Sequence, residues 1–343
     1  MSKILFFSDI HIHAHKGKES RLQDCLDALY WVFNTARERN IKDVVFAGDL
    51  FQDRTNIKVY TYHQTYKVFT QFSDLNIWLL LGNHDLWYSE KADISSVIPI
   101  GALSYVNVID KPTTIKIAGI DIDFLPYTQN PIAILADNFD TRAPILVGHI
   151  AVDGATLNFN HNIKAEVSVE YENDMMPVSK DLFDGYQKVF LGHYHGSQKL
   201  NNVVEYIGST LQLNFGEANQ KKHIIVFDTE TFGVEYIENT FSPKHYIIKA
   251  EEVDKYDLGS NFFNVIIDDI SQVDILEMKS KLIKESDATF HFIHSKSNQV
   301  EDKLNQKFDL VEGDVLERYV KTIQHELDEG MLLKIGKEIC IAN

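Results

Sequence analysis

The feature that most constrains this 343-residue chain is repeated five times: an apolar run of strand length that stops on a residue able to bind a metal. The runs are LFFSDIH (Asp9, His11), VVFAGDLF (Asp49), WLLLGNHD (Asn83, His84, Asp85), ILVGHI (His149) and VFLGHYH (His193, His195). Continuous Val, Ile, Leu and Phe suit strands buried on both faces. In four of the five a glycine stands directly before the ligand candidate, where the backbone can turn sharply and approach an ion. Ligands at the ends of neighbouring strands converge on one rim of a sheet, where open α/β folds place their sites. The pattern reads as a dinuclear metal centre.

The intervening sequence fills in the layers. Residues 20–39 place Leu22, Leu26, Leu29, Val32 and Phe33 at helical spacing, with Ser20 as N-cap, and a second helix is expected over about 58–73. From residue 104 the texture becomes alternating, VNVIDKPTTIKIAGIDIDFLPY, which predicts antiparallel strands of a second sheet. HIIVFDTETFGVEYIEN predicts a hairpin turning at about Thr229–Gly233. Two packed sheets with helices outside make a four-layer α/β/β/α sandwich. The expected organisation is a main domain over 1–243, a small cap-like α+β domain over 244–312 and a helical segment over 313–343. That segment carries an apolar stripe of Val315, Leu316, Tyr319, Val320 and Ile323, suited to packing on the second domain or to docking a partner.

Composition limits the setting. No apolar run approaches the roughly 20 residues that span a bilayer, and MSKILFF, interrupted by Asp9 and His11, reads as a first strand rather than a leader. Two cysteines, Cys25 and Cys340, build no disulfide framework, so the expected compartment is the cytoplasm. The net charge of −17 weighs against a nucleic-acid binder with a basic footprint. Residues 251–343 hold 20 acidic and 11 basic side chains, however, so nine of the excess negative charges lie in the last quarter. Two divalent ions would also add positive charge where a phosphodiester must sit. Acidity thus argues against unaided DNA binding more than against DNA chemistry.

The donors Asp9, His11, Asp49, Asn83, His149, His193 and His195 are oxygens and imidazole nitrogens, a set suited to Mn²⁺, Zn²⁺ or Fe²⁺ rather than to Cu(I) or an iron–sulfur cluster. Two such ions can bind a phosphodiester and make hydroxide from a bridging water for in-line attack. His84 is the candidate proton donor to the leaving oxygen, with Asp85 orienting it and raising its pKa.

The series D-x-H, G-D, G-N-H-D, G-H, G-H-x-H resembles that of the calcineurin-like metallophosphoesterases. GDLFQDR, DKPTT at 110–114 and YIGST at 206–210 are similar to segments of the double-strand-break repair nucleases, of the SbcD type and its tailed-phage recombination-endonuclease versions. The resemblance covers about residues 3–240. It implies one metal on Asp9, His11, Asp49 and His195, and another on Asp49, Asn83, His149 and His193. It also implies manganese as the usual ion, with zinc, iron or magnesium as alternatives. Further implications are a DNA substrate, an SMC-like coiled-coil ATPase partner of the SbcC type, a homodimer, and the host cytoplasm if the chain is phage-encoded. Many relatives carry a second histidine after the G-D motif where this chain has Gln52, which makes Arg54 the candidate to touch a phosphate oxygen.

Several residues have two readings. His13 and His15 continue the alternation from His11 and are read as facing solvent or substrate. Gly208, Ser209 and Thr210 order a turn beside the site or touch phosphate. Trp87 and Tyr88 lie in the core or stack on an unpaired base. The competing function is the same chemistry on a small nucleotide or phosphoprotein; the phosphoprotein subgroup's G-D-x-x-D-R-G and G-N-H-E differ from this chain at Arg54 and Asp85. A scaffold without ions is disfavoured because every expected ligand is present.

Overall fold

The structure is a computed structural model that describes residues 2–14, 19–88, 91–156, 177–267, 282 and 288–294. The chain divides into compact units of residues 1–292 and 293–343. The helical segment expected over 313–343, with its apolar stripe, lies outside the described residues, as does His15.

Along the chain, β1 (Lys3–Phe7) leads to α1 (Glu19–Glu38), β2 (Asp43–Phe46), α2 (Val59–Phe69) and β3 (Asn76–Leu80). A small hairpin follows, β4 (Leu86–Tyr88) and β5 (Lys91–Ser95), then β6 (Val106–Ile109), β7 (Thr113–Ile117), β8 (Ile120–Leu125) and α3 (Pro131–Asn138). β9 (Ile145–His149), β10 (Lys188–Gly192), β11 (Gln198–Lys199), β12 (Val204–Tyr206), β13 (His223–Asp228) and β14 (Val234–Glu238) come next. β15 (His245–Lys249), β16 (Phe262–Ile267) and β17 (Thr289–His294) close the described chain.

Two six-stranded sheets dominate, ordered β14-β13-β1-β2-β3-β6 and β11-β12-β10-β9-β8-β7. Period-two alternation divides each strand between two cores. In β1, Ile4 and Phe6 join Val45, Phe124, Val147, Phe190 and Phe227 in the layer between the sheets, where the Phe6 and Phe190 rings stack at 4.7 Å. Leu5 and Phe7 face the other way, onto Leu29, Phe33 and Phe69 of α1 and α2. Leu146, Val189 and Leu191 of the second sheet cover Leu135 of α3 and Phe183. Each fully buried phenylalanine contributes about 1.5–3 kcal/mol, which makes the inter-sheet layer a large share of stability. The result is an α/β sandwich of four layers. Burial in α1 also pushes the Cys25 thiol up to about 11, as befits a core residue.

One strand departs from expectation. VNVI forms β6, parallel to β3 in the first sheet, and the Lys111–Pro112 turn precedes β7 of the second sheet. Alternation signals a strand with one wetter face but does not say which sheet owns it. The β7–β8 and β13–β14 hairpins are antiparallel, the first turning through Ala118 and Gly119, both at positive φ. β15, β16 and β17 form a separate three-stranded sheet with its own core of Ile248, Val253, Phe263 and Val265.

Register sets the site. Phe7 pairs with Phe46 and Phe46 with Leu79, so β1, β2 and β3 end level; Gly192 pairs with His149 across β10 and β9. Within each sheet, the loops that carry the ligand candidates therefore leave from matching levels.

Candidate metal centre

The segments after β1 and β2 continue side by side once the strands end. Asp9 N–H donates to the Gly48 carbonyl at 3.0 Å, His11 N–H to Asp49 at 3.1 Å and Ile12 N–H to Leu50 at 2.8 Å. Asp9, His11, Asp49 and His193 all hold left-handed backbone, with φ of 49°, 46°, 65° and 98°. Such conformations cost about 1–3 kcal/mol each at non-glycine residues and persist only where surroundings over-determine them. Here they turn successive side chains inward.

Three of the four preceding glycines are needed for close approach. A Cβ on Gly48 would lie 2.3 Å from His149 Nδ1, on Gly82 2.2 Å from Asp49 Oδ1, and on Gly192 2.2 Å from the Ala47 carbonyl oxygen. Gly148 is different: its nearest neighbour would be Leu191 Cδ2 at 3.3 Å.

The structure brings all seven ligand candidates together. Asp9, His11 and His195 form one group of donor atoms within 4.8 Å of one another, Asp9, Asp49 and His149 a second, and His11, Asp49 and His84 a third. Asn83 Oδ1 lies 3.0 Å from His149 Nε2 and 3.2 Å from His193 Nδ1. Asp9, His11, Asp49, Asn83 and His149 are buried, while His193 and His195 are half-buried at the rim.

Two contacts test whether a cation fits. His149 Nδ1 lies 2.7 Å from the Ala47 carbonyl, an acceptor only, so Nδ1 carries a proton. His149 Nε2 then points at two oxygens, Asn83 Oδ1 at 3.0 Å and Asp49 Oδ2 at 3.3 Å, an arrangement that calls for positive charge among them. Likewise His11 Nε2 and His195 Nε2 face each other at 3.0 Å and can share one proton or a cation. The donor set fits divalent ions.

Protonation preferences agree for His11 and His193. Burial, then the neighbouring His195, holds His11 well below the usual imidazole range; burial and His149 push His193 down to about 3. Both are neutral nitrogen donors at neutral pH. Burial works against charge on His149 as well, but Asp49 outweighs it and pushes that imidazole up to about 9. Asp9 is raised by burial.

His84 is buried among these residues; its N–H donates to Asp49 Oδ1 at 2.8 Å and its ring lies 4.8 Å from that of His11. Asp85, expected to orient it, instead takes backbone amides: Asp49 and Gly82 N–H on Oδ2, both at 2.9 Å, and Leu50 N–H on Oδ1 at 2.8 Å. Burial and the Asp49 charge push Asp85 up to about 7. The atom beside His84 Nδ1, at 2.7 Å, is the Gln52 carbonyl oxygen. Backbone orientation of an imidazole leaves no trace in residue identity, so the sequence pointed to the nearest carboxylate.

Arg54 is half-buried in the loop following Phe51. His13 pairs with Asp53 at 3.2 Å. Ser209 and Thr210 are buried and order the turn: Ser209 Oγ lies 2.9 Å from Glu217 Oε2, and Thr210 Oγ1 donates to the Ser8 carbonyl at 3.1 Å. Trp87 and Tyr88 are exposed, not core. Sequence reasoning missed Glu217 altogether; its Oε1 lies 3.0 Å from His195 Nδ1. A lone glutamate in NFGEAN carries no signal.

Comparison with known proteins follows the same lines. Residues 2–197, more than half of the chain, match the calcineurin-like phosphoesterase family. Exonuclease subunit 1 of Enterobacteria phage T4 is 27% identical over 290 residues, covering 82% of this chain and 81% of the relative. The D component of nuclease SbcCD from Staphylococcus saprophyticus is 24% identical over 249 residues, 64% of each chain. Its counterpart from Escherichia coli K12 is 23% identical over 297 residues, covering 75% of this chain and 72% of the relative. Among the described residues no helix is long and apolar enough to cross a membrane. Strand ends that deliver carboxylates and imidazoles to one buried cluster, with a family match spanning all five, mean that the chain belongs to the calcineurin-like phosphoesterases and is a metal-dependent phosphoesterase.

Proposed function

We propose that this chain is the nuclease subunit of a DNA-end-processing assembly, hydrolysing phosphodiester bonds in the cytoplasm beside an SMC-like ATPase. The observation that carries the reading is that buried Asp9, His11, Asp49, Asn83 and His149 meet half-buried His193 and His195 in one place, with His84 among them. Relatives named as exonuclease and SbcCD nuclease subunits support the substrate class.

One ion, manganese by preference, is assigned to Asp9, His11, Asp49 and His195, and a second to Asp49, Asn83, His149 and His193. When bound, such ions supply positive charge for the phosphoryl oxygens and a water acidic enough to attack at neutral pH. The chain's own residues do the rest. The Ala47 carbonyl holds the His149 ring, and the Asp85 carboxylate fastens the Gly82 turn to the Asp49–Leu50 backbone. With Nδ1 held at the Gln52 carbonyl, His84 passes a proton to the leaving oxygen through Nε2. Arg54, in the same loop as Gln52, contacts a phosphate oxygen. DNA grip comes chiefly from the partner, since the chain's charge of −17 repels the polyanion.

The test compares Mn²⁺-dependent release of nucleotides from linear duplex DNA with hydrolysis of a small chromogenic phosphodiester. Nuclease activity that rises when the ATPase co-purifies is the expected result. Hydrolysis of small esters with none of DNA, even with the ATPase present, would establish a small-nucleotide or phosphoprotein phosphoesterase instead.

A further inference from the structure

Glu217 follows the ligand candidates by more than twenty residues in sequence yet lies against one of them. It ends a short turn over Phe215–Glu217 that begins at Asn214, whose side chain accepts the Gly216 N–H at 2.8 Å. The residue is 1% exposed, and both its oxygens are engaged. Oε1 lies 3.0 Å from His195 Nδ1; Oε2 lies 2.7 Å from Lys222 Nζ and accepts from Ser209 Oγ at 2.9 Å and Leu213 N–H at 3.3 Å. Lys222, itself buried, also donates to the His195 carbonyl at 2.8 Å. The pair therefore holds His195 by ring and by backbone.

A buried ion pair is a poor way to stabilise a fold, because desolvation offsets the attraction between its charges. Orientation of a ligand is what this one supplies. We propose that Glu217 is a positioning residue for the metal centre: it fixes His195 as the Nδ1–H tautomer, aims Nε2 at His11, and sets the affinity of the ion shared by Asp9, His11 and His195. The proposal rests on the metal-centre reading above. It also separates the two positions. His149, on the other side, is oriented by a neutral carbonyl, that of Ala47. A carboxylate acceptor makes an imidazole the stronger donor, so the Asp9–His11–His195 position is the tighter of the two. Lys222 balances the carboxylate, so that Glu217 adds no net charge to the cluster.

The test titrates the full, metal-stripped chain with Mn²⁺ alone, following the electron paramagnetic resonance of the free ion. Wild type should take up two equivalents with unequal affinities. In Glu217→Gln the tighter equivalent should weaken about 10- to 100-fold while the other changes less than about twofold. Nitrogen-15 NMR of histidines in the metal-free wild type should find the His195 proton on Nδ1, a measurement that needs no variant to fold. Equal weakening of both equivalents, no weakening of either, or a wild-type His195 with no proton on Nδ1 would overturn the role of Glu217. A wild-type chain that takes up no Mn²⁺ would instead overturn the metal-centre reading beneath it.

Discussion

Gly148 and Gly192 hold the same place in the same dipeptide, Gly-His, on neighbouring parallel strands, yet the structure gives them different burdens. A methyl group on Gly192 would lie 2.2 Å from the Ala47 carbonyl oxygen, 2.3 Å from Ser8 Oγ and 2.8 Å from His149 Nδ1. On Gly148 it would meet Leu191 Cδ2 at 3.3 Å and nothing else closer than 3.6 Å. Neither glycine has positive φ, so the cost is one of space alone. Ordinary contact is about 3.5 Å, so Gly192→Ala must drive the ends of β10 and β2 apart by about 1 Å. Ala47 cannot yield freely: its N–H bonds the Phe7 carbonyl at 2.9 Å and its own carbonyl holds His149. Overpacking of this kind costs about 1–3 kcal/mol. Misplacing reacting groups by about 1 Å costs on the order of 100-fold in rate. Gly192→Ala should therefore lower kcat on a chromogenic phosphodiester by about two orders of magnitude and weaken Mn²⁺ binding. In Gly148→Ala the Leu191 side chain swings aside for about 0.5–1.5 kcal/mol, and activity stays near wild type. Urea unfolding of the metal-free variants, Mn²⁺ titration and steady-state kinetics measure all three quantities. Equal losses in the two variants would refute the argument from close approach.

His84→Ala should keep both equivalents of Mn²⁺ and lose about 10²- to 10⁴-fold in kcat; lost metal would reassign His84 as a ligand. Trp87 and Tyr88 are 40% and 54% exposed, with ring centroids 4.4 Å apart, where the β4–β5 register shifts between Leu86 and Tyr88. Stacking is worth about 1–3 kcal/mol per base, so replacing both by alanine should weaken binding of DNA with unpaired ends and spare hydrolysis of the small diester. Equal loss on both substrates would place the pair in the fold instead. Burial, then Lys222, pushes His223 down to about 4 from an ordinary 6.5. Between these values the unfolded chain binds the extra proton, so His223 contributes stability above pH 6.5 that is lost as pH falls toward 4, at most about 3 kcal/mol. His223→Gln should flatten that limb in urea unfolding from pH 7.5 to 4.5; an unchanged slope would sink the assignment.

The strand ends were legible because burial on both faces leaves a compositional mark and each run stops on a donor. Helix α1 was legible through its spacing, α2 through its place between two strands, and the β13–β14 turn through its glycine. The sheet that owns β6 was not, since one alternating strand fits either. Nor was the partner of His84: a carbonyl oxygen belongs to every residue, so the Gln52 backbone could not be told from any other.

The sequence by itself determined which side chains could meet a metal and which strands would carry them, because donor chemistry and hydrophobic runs are written residue by residue. Only the tertiary structure decided how the donors are held. The left-handed backbone at Asp9, His11, Asp49 and His193, the close approach at Gly48, Gly82 and Gly192, and the reach of Glu217 to His195 all depend on segments far apart in the chain. Those distances exist once two sheets are packed face to face, and nothing local in the sequence encodes them.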